Sequence, residues 1–142
     1  MSWDESLFRA INGFAGQSAW LDELALTLSN SSLLWVPGIL LTGYWLWLSW
    51  REALLATPVL AASIGLLDFV GARIKDIAAR PRPCMELPDI HQIEACGKTF
   101  GFPSNHAINT AIAAAFLQVL YPRSGWVSGP LVGLIGLSRV YL

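Results

Sequence analysis

Charged side chains are scarce in this sequence. Lysine, arginine, aspartate and glutamate make up 13% of its 142 residues, whereas hydrophobic residues make up 54%. A soluble domain carries roughly 25% charged residues, so the shortage argues against an ordinary water-soluble protein with a polar surface. The composition predicts an integral membrane protein, organised as one domain over residues 1–142.

The sequence also lacks an excess of charge of either sign. Its formal net charge is −1, so the protein has no long-range field to attract a polyanion, and an anion has to be bound by a local group of cations. Nucleic acid is therefore not expected as a partner. A signal peptide is not expected either, because Asp4 and Glu5 occupy the place of its basic region.

Cysteine occurs only twice, at Cys84 and Cys96, and both lie in one polar loop. A disulfide between them would form if the loop faces an oxidising compartment. In the chain-entropy model such a ring contributes roughly 3 kcal/mol to stability. Two free thiols are the alternative interpretation.

Apolar residues run together over most of the chain after residue 32. The predicted helical spans are Leu33–Trp50, Ala53–Ile74, Ala107–Tyr121 and a fourth that starts at Trp126, with a polar turn at Arg51–Glu52. The first span has eighteen residues without a charge, which is about 27 Å of helix and approaches the thickness of a hydrocarbon core. The predicted fold class is therefore all-α, a polytopic transmembrane bundle over 33–142.

Residues 1–32 are too mixed in polarity to span a membrane. Leu7, Ile11 and Phe14 recur at the spacing of one helical face, and polar residues occupy the rest of the helix surface. We predict one or two amphipathic helices at the membrane surface. A soluble cap packed on the bundle is the alternative.

The connections between the predicted spans are short, except for the polar loop over 84–102. Successive spans then alternate in direction, and one membrane face collects a set of polar residues. That set is Lys75, Arg80, Arg82, Ser104, His106, Ser138 and Arg139. Arg51 and Arg123 lie on the opposite face, which the positive-inside tendency places in the cytoplasm. The polar set and the loop are therefore expected on the outer side of the cytoplasmic membrane.

The polar set contains the groups that binding of a phosphoryl group requires. Arginine presents a planar fork of donors and lysine a point charge, and both suit phosphate oxygens. Ser104 is placed as the N-cap of the third span, where backbone N–H groups can meet an anion. His106 follows in the first turn and can give a proton to a leaving oxygen.

Some neighbouring residues have a structural interpretation beside a functional one. Arg80 is either part of the site or a cation that extends to the membrane interface. Asp68 lies two helical turns before Lys75 and either orients a cation or pairs with one structurally. Glu86, Asp89, Glu94 and Lys98 are interpreted as the solvated surface of the loop.

Three motifs carry a family resemblance. They are Lys75 followed after six residues by Arg82-Pro83, then Pro103-Ser104-Asn105-His106 at a helix start, then Ser138-Arg139 in a later helix. In this order they resemble the signature of the type 2 phosphatidic acid phosphatase superfamily, over about residues 33–142. That superfamily includes membrane lipid phosphatases, undecaprenyl diphosphate phosphatases and vanadium haloperoxidases.

The resemblance implies a helical bundle and hydrolysis through a phosphohistidine, with neither a metal nor a cofactor. The residues that it assigns to substrate binding are Lys75, Arg82, Ser104, Asn105 and Arg139. It assigns the role of general acid to His106. The family has glycine where this chain has Asn105, so the asparagine side chain either restricts the pocket or adds a donor.

The family pattern continues for five residues past Ser-Arg to a nucleophilic histidine, and that position would fall beyond Leu142. The sequence is therefore predicted to be a truncated membrane lipid phosphatase. Its substrate would be a lipid phosphate or diphosphate, with undecaprenyl diphosphate as the first candidate and phosphatidic acid or phosphatidylglycerol phosphate as others. The alternative is a non-catalytic membrane protein that binds lipid phosphate on the same scaffold.

Overall fold

The computed structural model describes residues 3–98 and 100–142, except for the side chains of residues 31–35 and 37. Its helices are α1 (Trp3–Asn12), α2 (Ala19–Ser29), α3 (Ser31–Leu48), α4 (Trp50–Ala78), α5 (Pro83–Glu86), α6 (Asn105–Leu120) and α7 (Gly125–Tyr141), with a 3-10 turn at Pro122–Ser124. No strand occurs in these residues, which confirms the all-α prediction.

Helices α4, α6 and α7 form the centre of the bundle. Helix α6 packs between α4 and α7, while α3 packs on α4 and the two N-terminal helices pack on α7. The crossing of α4 and α6 is close at Gly71, where a Cβ atom would lie only 3.0 Å from Cδ1 of Ile108. This close approach brings the polar residues of α4 next to the start of α6.

The helix ends follow local chemistry. Helix α6 begins at Asn105 directly after Ser104, as the N-cap interpretation predicts. The predicted polar turn at Arg51–Glu52 is wrong, because α4 begins at Trp50 and these residues form its first turn. Only Ser49 separates α3 from α4, and the acidic Glu52 suits the positive end of the helix dipole. Helix α4 ends at Ala78, and Ala79 adopts a left-handed conformation with φ of 42°. A left-handed residue after the last helical turn is a common way for a helix to end.

One segment of the described chain, Trp50–Glu86, is long and apolar enough to cross a membrane by length and composition. Helices α3, α6 and α7 coincide with the other predicted spans. Helix α6 has 16 residues and α7 has 17, so α6 is about 24 Å long, less than a hydrocarbon core of about 30 Å. The prediction of four spans therefore stays a prediction.

The N-terminal segment forms two helices that pack on the bundle. Asn12 is 3% exposed, and its amide nitrogen donates to the carbonyl oxygens of His91 (2.8 Å) and Tyr141 (3.0 Å) while its amide oxygen accepts from the backbone N–H of His91 (2.9 Å). Arg80 forms an exposed ion pair with Asp4 of α1. These contacts join the N-terminal segment to the polar loop and to the end of α7, and whether the segment lies at a membrane surface stays a prediction.

Replacing Asn12 with alanine is expected to destabilise the fold, because three backbone hydrogen bonds lose their partner in a buried position. The expected loss is about 2–4 kcal/mol, measured as unfolding in detergent micelles. Gln17→Ala is a suitable control, since the Gln17 side chain is exposed and its amide donates to the carbonyl of Gly13 within its own turn. If the Asn12→Ala protein were as stable as the control, the Asn12 hydrogen bonds would not hold the N-terminal segment on the bundle.

Cys84 and Cys96 form a disulfide with their Cα atoms 6.1 Å apart, which decides between the two interpretations of these cysteines. Iodoacetamide is therefore expected to add no mass to the unreduced protein and two adducts after reduction. Replacing both cysteines with serine should cost roughly 3 kcal/mol of stability by the loop-entropy estimate. Alkylation without prior reduction would show that the thiols are free.

Candidate functional site

The site begins with one face of α4. Asp68, Gly71 and Lys75 are separated by three and four residues, so all three lie on the face of α4 that packs on α6. Asp68 and Lys75 are seven residues apart, which separates them by about 10.5 Å along the helix axis. They are therefore too far apart for a direct hydrogen bond and need a group between them.

Asn105, the first residue of α6, is that group. Lys75 Nζ donates to Asn105 Oδ1 at 3.0 Å, and Asn105 Nδ2 donates to Asp68 Oδ1 at 3.2 Å. The orientation of the amide is fixed by chemistry, because an ammonium only donates and an ionised carboxylate only accepts. Asn105 thus links an acid and a base of α4 through its own dipole.

This bridge answers two questions that the sequence leaves open. Asp68 orients Lys75, and it does so through Asn105 rather than by direct contact. The Asn105 side chain directs its oxygen to Lys75 and one of its two N–H donors to Asp68. A glycine at this position would leave both Asp68 and Lys75 without the link.

A cavity of about 600 Å³ lies between the end of α4, the start of α6 and the polar loop. Its polar lining consists of Lys75 and Asp76 from α4, Asn105 from α6 and Lys98 from the loop. The other lining residues are apolar, and they include Met85 and Phe100. An anionic head group with an adjoining apolar chain matches this combination of charge and apolar wall.

Arg82 anchors the far part of the loop. A Cβ atom at Gly97 would lie 2.8 Å from Cζ of Arg82, so the guanidinium packs directly on the loop backbone. Gly101 lies against the Arg82 Cα atom, and its N–H donates to the carbonyl of Arg80 at 2.8 Å. Arg82 is not among the residues that line the cavity.

Ser104 and His106 stand at the start of α6 beside Asn105. The carbonyl of Ser104 accepts the N–H of Ile108 at 3.0 Å, while its hydroxyl makes no capping hydrogen bond. His106 Nε2 is buried and has no hydrogen-bond partner among the described residues. A buried polar atom without a partner costs roughly 1–3 kcal/mol, so a substrate oxygen that reached Nε2 would relieve this cost.

Arg139, the remaining predicted cation, is engaged elsewhere. Its Nη1 donates to the hydroxyl of Ser29 in α2 and lies 3.4 Å from Oε2 of Glu94 in the loop. Glu94 therefore pairs with a cation, although it was interpreted as solvated surface. Neither Arg139 nor His106 lines the cavity of Lys75. The end of α7, which carries Arg139, contacts the loop region through Asn12, because the Asn12 amide bonds to the carbonyls of both His91 and Tyr141.

The structure thus brings Lys75 and Asn105 together on one cavity and adds Lys98, which the sequence interpretation placed on the loop surface. Two features of the sequence distinguish Lys98 from the other loop residues: it is one of two lysines in the sequence, and it follows Cys96 by two residues. The substrate roles of all six predicted site residues stay predictions: Lys75, Arg82, Ser104, Asn105, His106 and Arg139.

Comparison with known proteins adds one finding. A family model described as the PAP2 superfamily matches residues 56–142, which is more than half of the chain. The matched stretch contains all the predicted site residues, from Lys75 to Arg139. Nothing matches among the curated proteins or among the solved structures.

Proposed function

The chain belongs to the PAP2 superfamily, and from this membership we propose that it is a membrane lipid phosphatase, acting on a lipid phosphate or diphosphate. Members of the superfamily are generally phosphoric ester hydrolases. The observation that carries the proposal is the cavity of about 600 Å³, where Lys75 is held by Asn105 beside an apolar wall. Undecaprenyl diphosphate is the first candidate substrate, and phosphatidic acid and phosphatidylglycerol phosphate are the others.

The surface of the bundle supports a membrane location. Ile77, Val119 and Trp126 are each more than 80% exposed, and they belong to three different helices. Large apolar side chains that are exposed on several helices are unfavourable in water, and they mark a surface that contacts lipid or another apolar partner. We place the protein in the cytoplasmic membrane with the disulfide loop on its outer side, because disulfides persist in oxidising compartments.

In the proposed reaction the chain mainly positions the phosphoryl group and stabilises its charge. Lys75 neutralises a phosphoryl oxygen as a point charge. Arg82 and Arg139 do not line the cavity in this structure, so each would have to move its guanidinium before it could add planar donors. The family pattern assigns the attack on phosphorus to a histidine that follows Ser138-Arg139 in sequence. Its nitrogen forms a bond to phosphorus while the bond from phosphorus to the leaving oxygen breaks, and His106 gives that oxygen a proton. Water then attacks the phosphorus of the phosphohistidine and gives up a proton, and the bond from phosphorus to nitrogen breaks to release inorganic phosphate.

The test is release of inorganic phosphate from the three candidate lipids in mixed micelles. The chain ending at Leu142 is compared with a longer protein that carries whatever residues the coding sequence places after it. Phosphate release by the longer protein, without added metal, is the expected result. An inactive longer protein that carries the predicted histidine would contradict the enzyme assignment.

The second candidate is a non-catalytic protein that binds lipid phosphate. One observation favours it: Arg139, a predicted phosphate ligand, is bonded to Ser29 and lies beside Glu94, and it does not line the cavity of Lys75. Binding of a lipid phosphate without phosphate release, in both the shorter and the longer protein, would identify this function.

A further inference from the structure

We propose that Lys98 binds the anionic head group from the loop side of the cavity and selects a diphosphate over a monophosphate. The inference deepens the proposed function and rests on it. It concerns a residue outside the three motifs, from a loop that the sequence interpretation treated as solvated surface. The starting observation is that both lysines of the chain line the same cavity.

The charges of the cavity wall make Lys98 decisive. Lys75 and Asp76 are neighbours with opposite charges, so together they give the lining no net charge. Lys75 also directs one of its donors to Asn105. Lys98 is the lining residue that makes the wall positive overall, and among the described residues it has no hydrogen bond or ion pair of its own. Its ammonium is therefore available to an anion.

The loop holds Lys98 at the cavity through contacts on both sides of it. Cys96, two residues before, is bonded to Cys84 at the start of α5. Gly97 packs on the guanidinium of Arg82, and the N–H of Gly101 donates to the carbonyl of Arg80. A lysine in a segment anchored in this way loses less backbone entropy on binding than a lysine in a free loop.

Two cations on different elements suit a ligand with two anionic groups. A monophosphate can place its charge at Lys75 alone, whereas a diphosphate carries a second phosphate group. With one phosphate at Lys75, the second extends along the cavity wall, where Lys98 offers three donors on a flexible stem. Removing Lys98 should therefore weaken binding of a diphosphate more than binding of a monophosphate.

Calorimetric titration of the full chain in detergent micelles tests the inference, with inorganic pyrophosphate and inorganic phosphate as probes at fixed pH and ionic strength. Lys98→Gln is expected to weaken pyrophosphate binding about tenfold, the loss of one charged hydrogen bond, and phosphate binding by no more than about twofold. Lys98→Arg should restore most of the pyrophosphate affinity. Arg123→Gln is the matched control, since it removes one exposed positive charge at the other end of the bundle.

An equal loss for both anions in Lys98→Gln would overturn the selectivity, and an unchanged affinity for both would overturn the contact itself. If Arg123→Gln weakened pyrophosphate binding as much as Lys98→Gln does, the change in net charge would explain the effect, and the inference would also be overturned. Lys75→Met separates this inference from the proposed function. If Lys75→Met binds both anions as the unmodified protein does, the proposed phosphate site is wrong; if only Lys98→Gln has no effect, the role of Lys98 alone is wrong.

Discussion

Replacing His106 with glutamine is expected to lower the rate of phosphate release by about 10²–10⁴-fold, the usual contribution of general acid catalysis. Glutamine keeps a polar side chain at the start of α6 but cannot give up a proton at neutral pH. The imidazole Nε2 is buried and without a partner among the described residues, so it has no structural bond to lose. The measurement is single-turnover phosphate release by the form of the protein that is active.

The only other histidine provides a matched control. His91 contacts Asn12 through its backbone N–H and carbonyl, and the same backbone groups remain in His91→Gln. This variant is expected to keep the rate within about twofold, as most surface substitutions do. Binding of the lipid substrate should survive in His106→Gln, because a general acid acts on the leaving oxygen rather than on the bound phosphate. A rate that fell equally in both variants would remove His106 from the chemistry.

The sequence was sufficient for the features that depend on local residues. Apolar runs placed α3, α4, α6 and α7, because side-chain burial and helix length follow directly from such patterns. Ser104 predicted the start of α6 through its preference for the N-cap position. The boundaries were less exact. The charged pair Arg51–Glu52 resembles a turn in sequence, but a helix accepts both residues in its first turn, and α4 continues past the predicted end at Ile74 to Ala78.

The features that the sequence did not reveal are contacts between distant segments. The link from Lys75 to Asn105 joins residues in two helices, and the family pattern gave no guide because its glycine has no side chain. Lys98 lines the cavity from a loop that a disulfide and the packing of Gly97 on Arg82 join to the start of α5. The pairing of Arg139 with Glu94 depends on how α7 meets that same loop. Each of these contacts is set by the packing of whole elements, which local patterns do not encode.

Replacing Lys75 with methionine is expected to lower the rate of phosphate release by about 10²–10³-fold, as removal of one preorganised donor does in other active sites. Methionine keeps the length of the apolar stem and removes the ammonium group, with its charge and its hydrogen-bond donors. Binding of inorganic phosphate should weaken about 10–100-fold, because a hydrogen bond to a charged group contributes roughly 1.5–3 kcal/mol. Both quantities are measured in micelles, by phosphate release and by calorimetry.

The same experiment extends to Asp68, which is a positioning residue because it reaches Lys75 only through the amide of Asn105. Asp68→Asn is expected to lower the rate about tenfold when Asn105 is present, and to have little further effect in the Asn105→Gly background. Such coupling is normal for residues of one hydrogen-bonded network and absent between independent sites. Conversely, a structural Asp68 would lower stability equally in both backgrounds and leave phosphate affinity unchanged. Independent, additive effects of the two substitutions on the rate would therefore contradict the positioning role of Asp68, since Asp68 can orient Lys75 only while the asparagine side chain joins them.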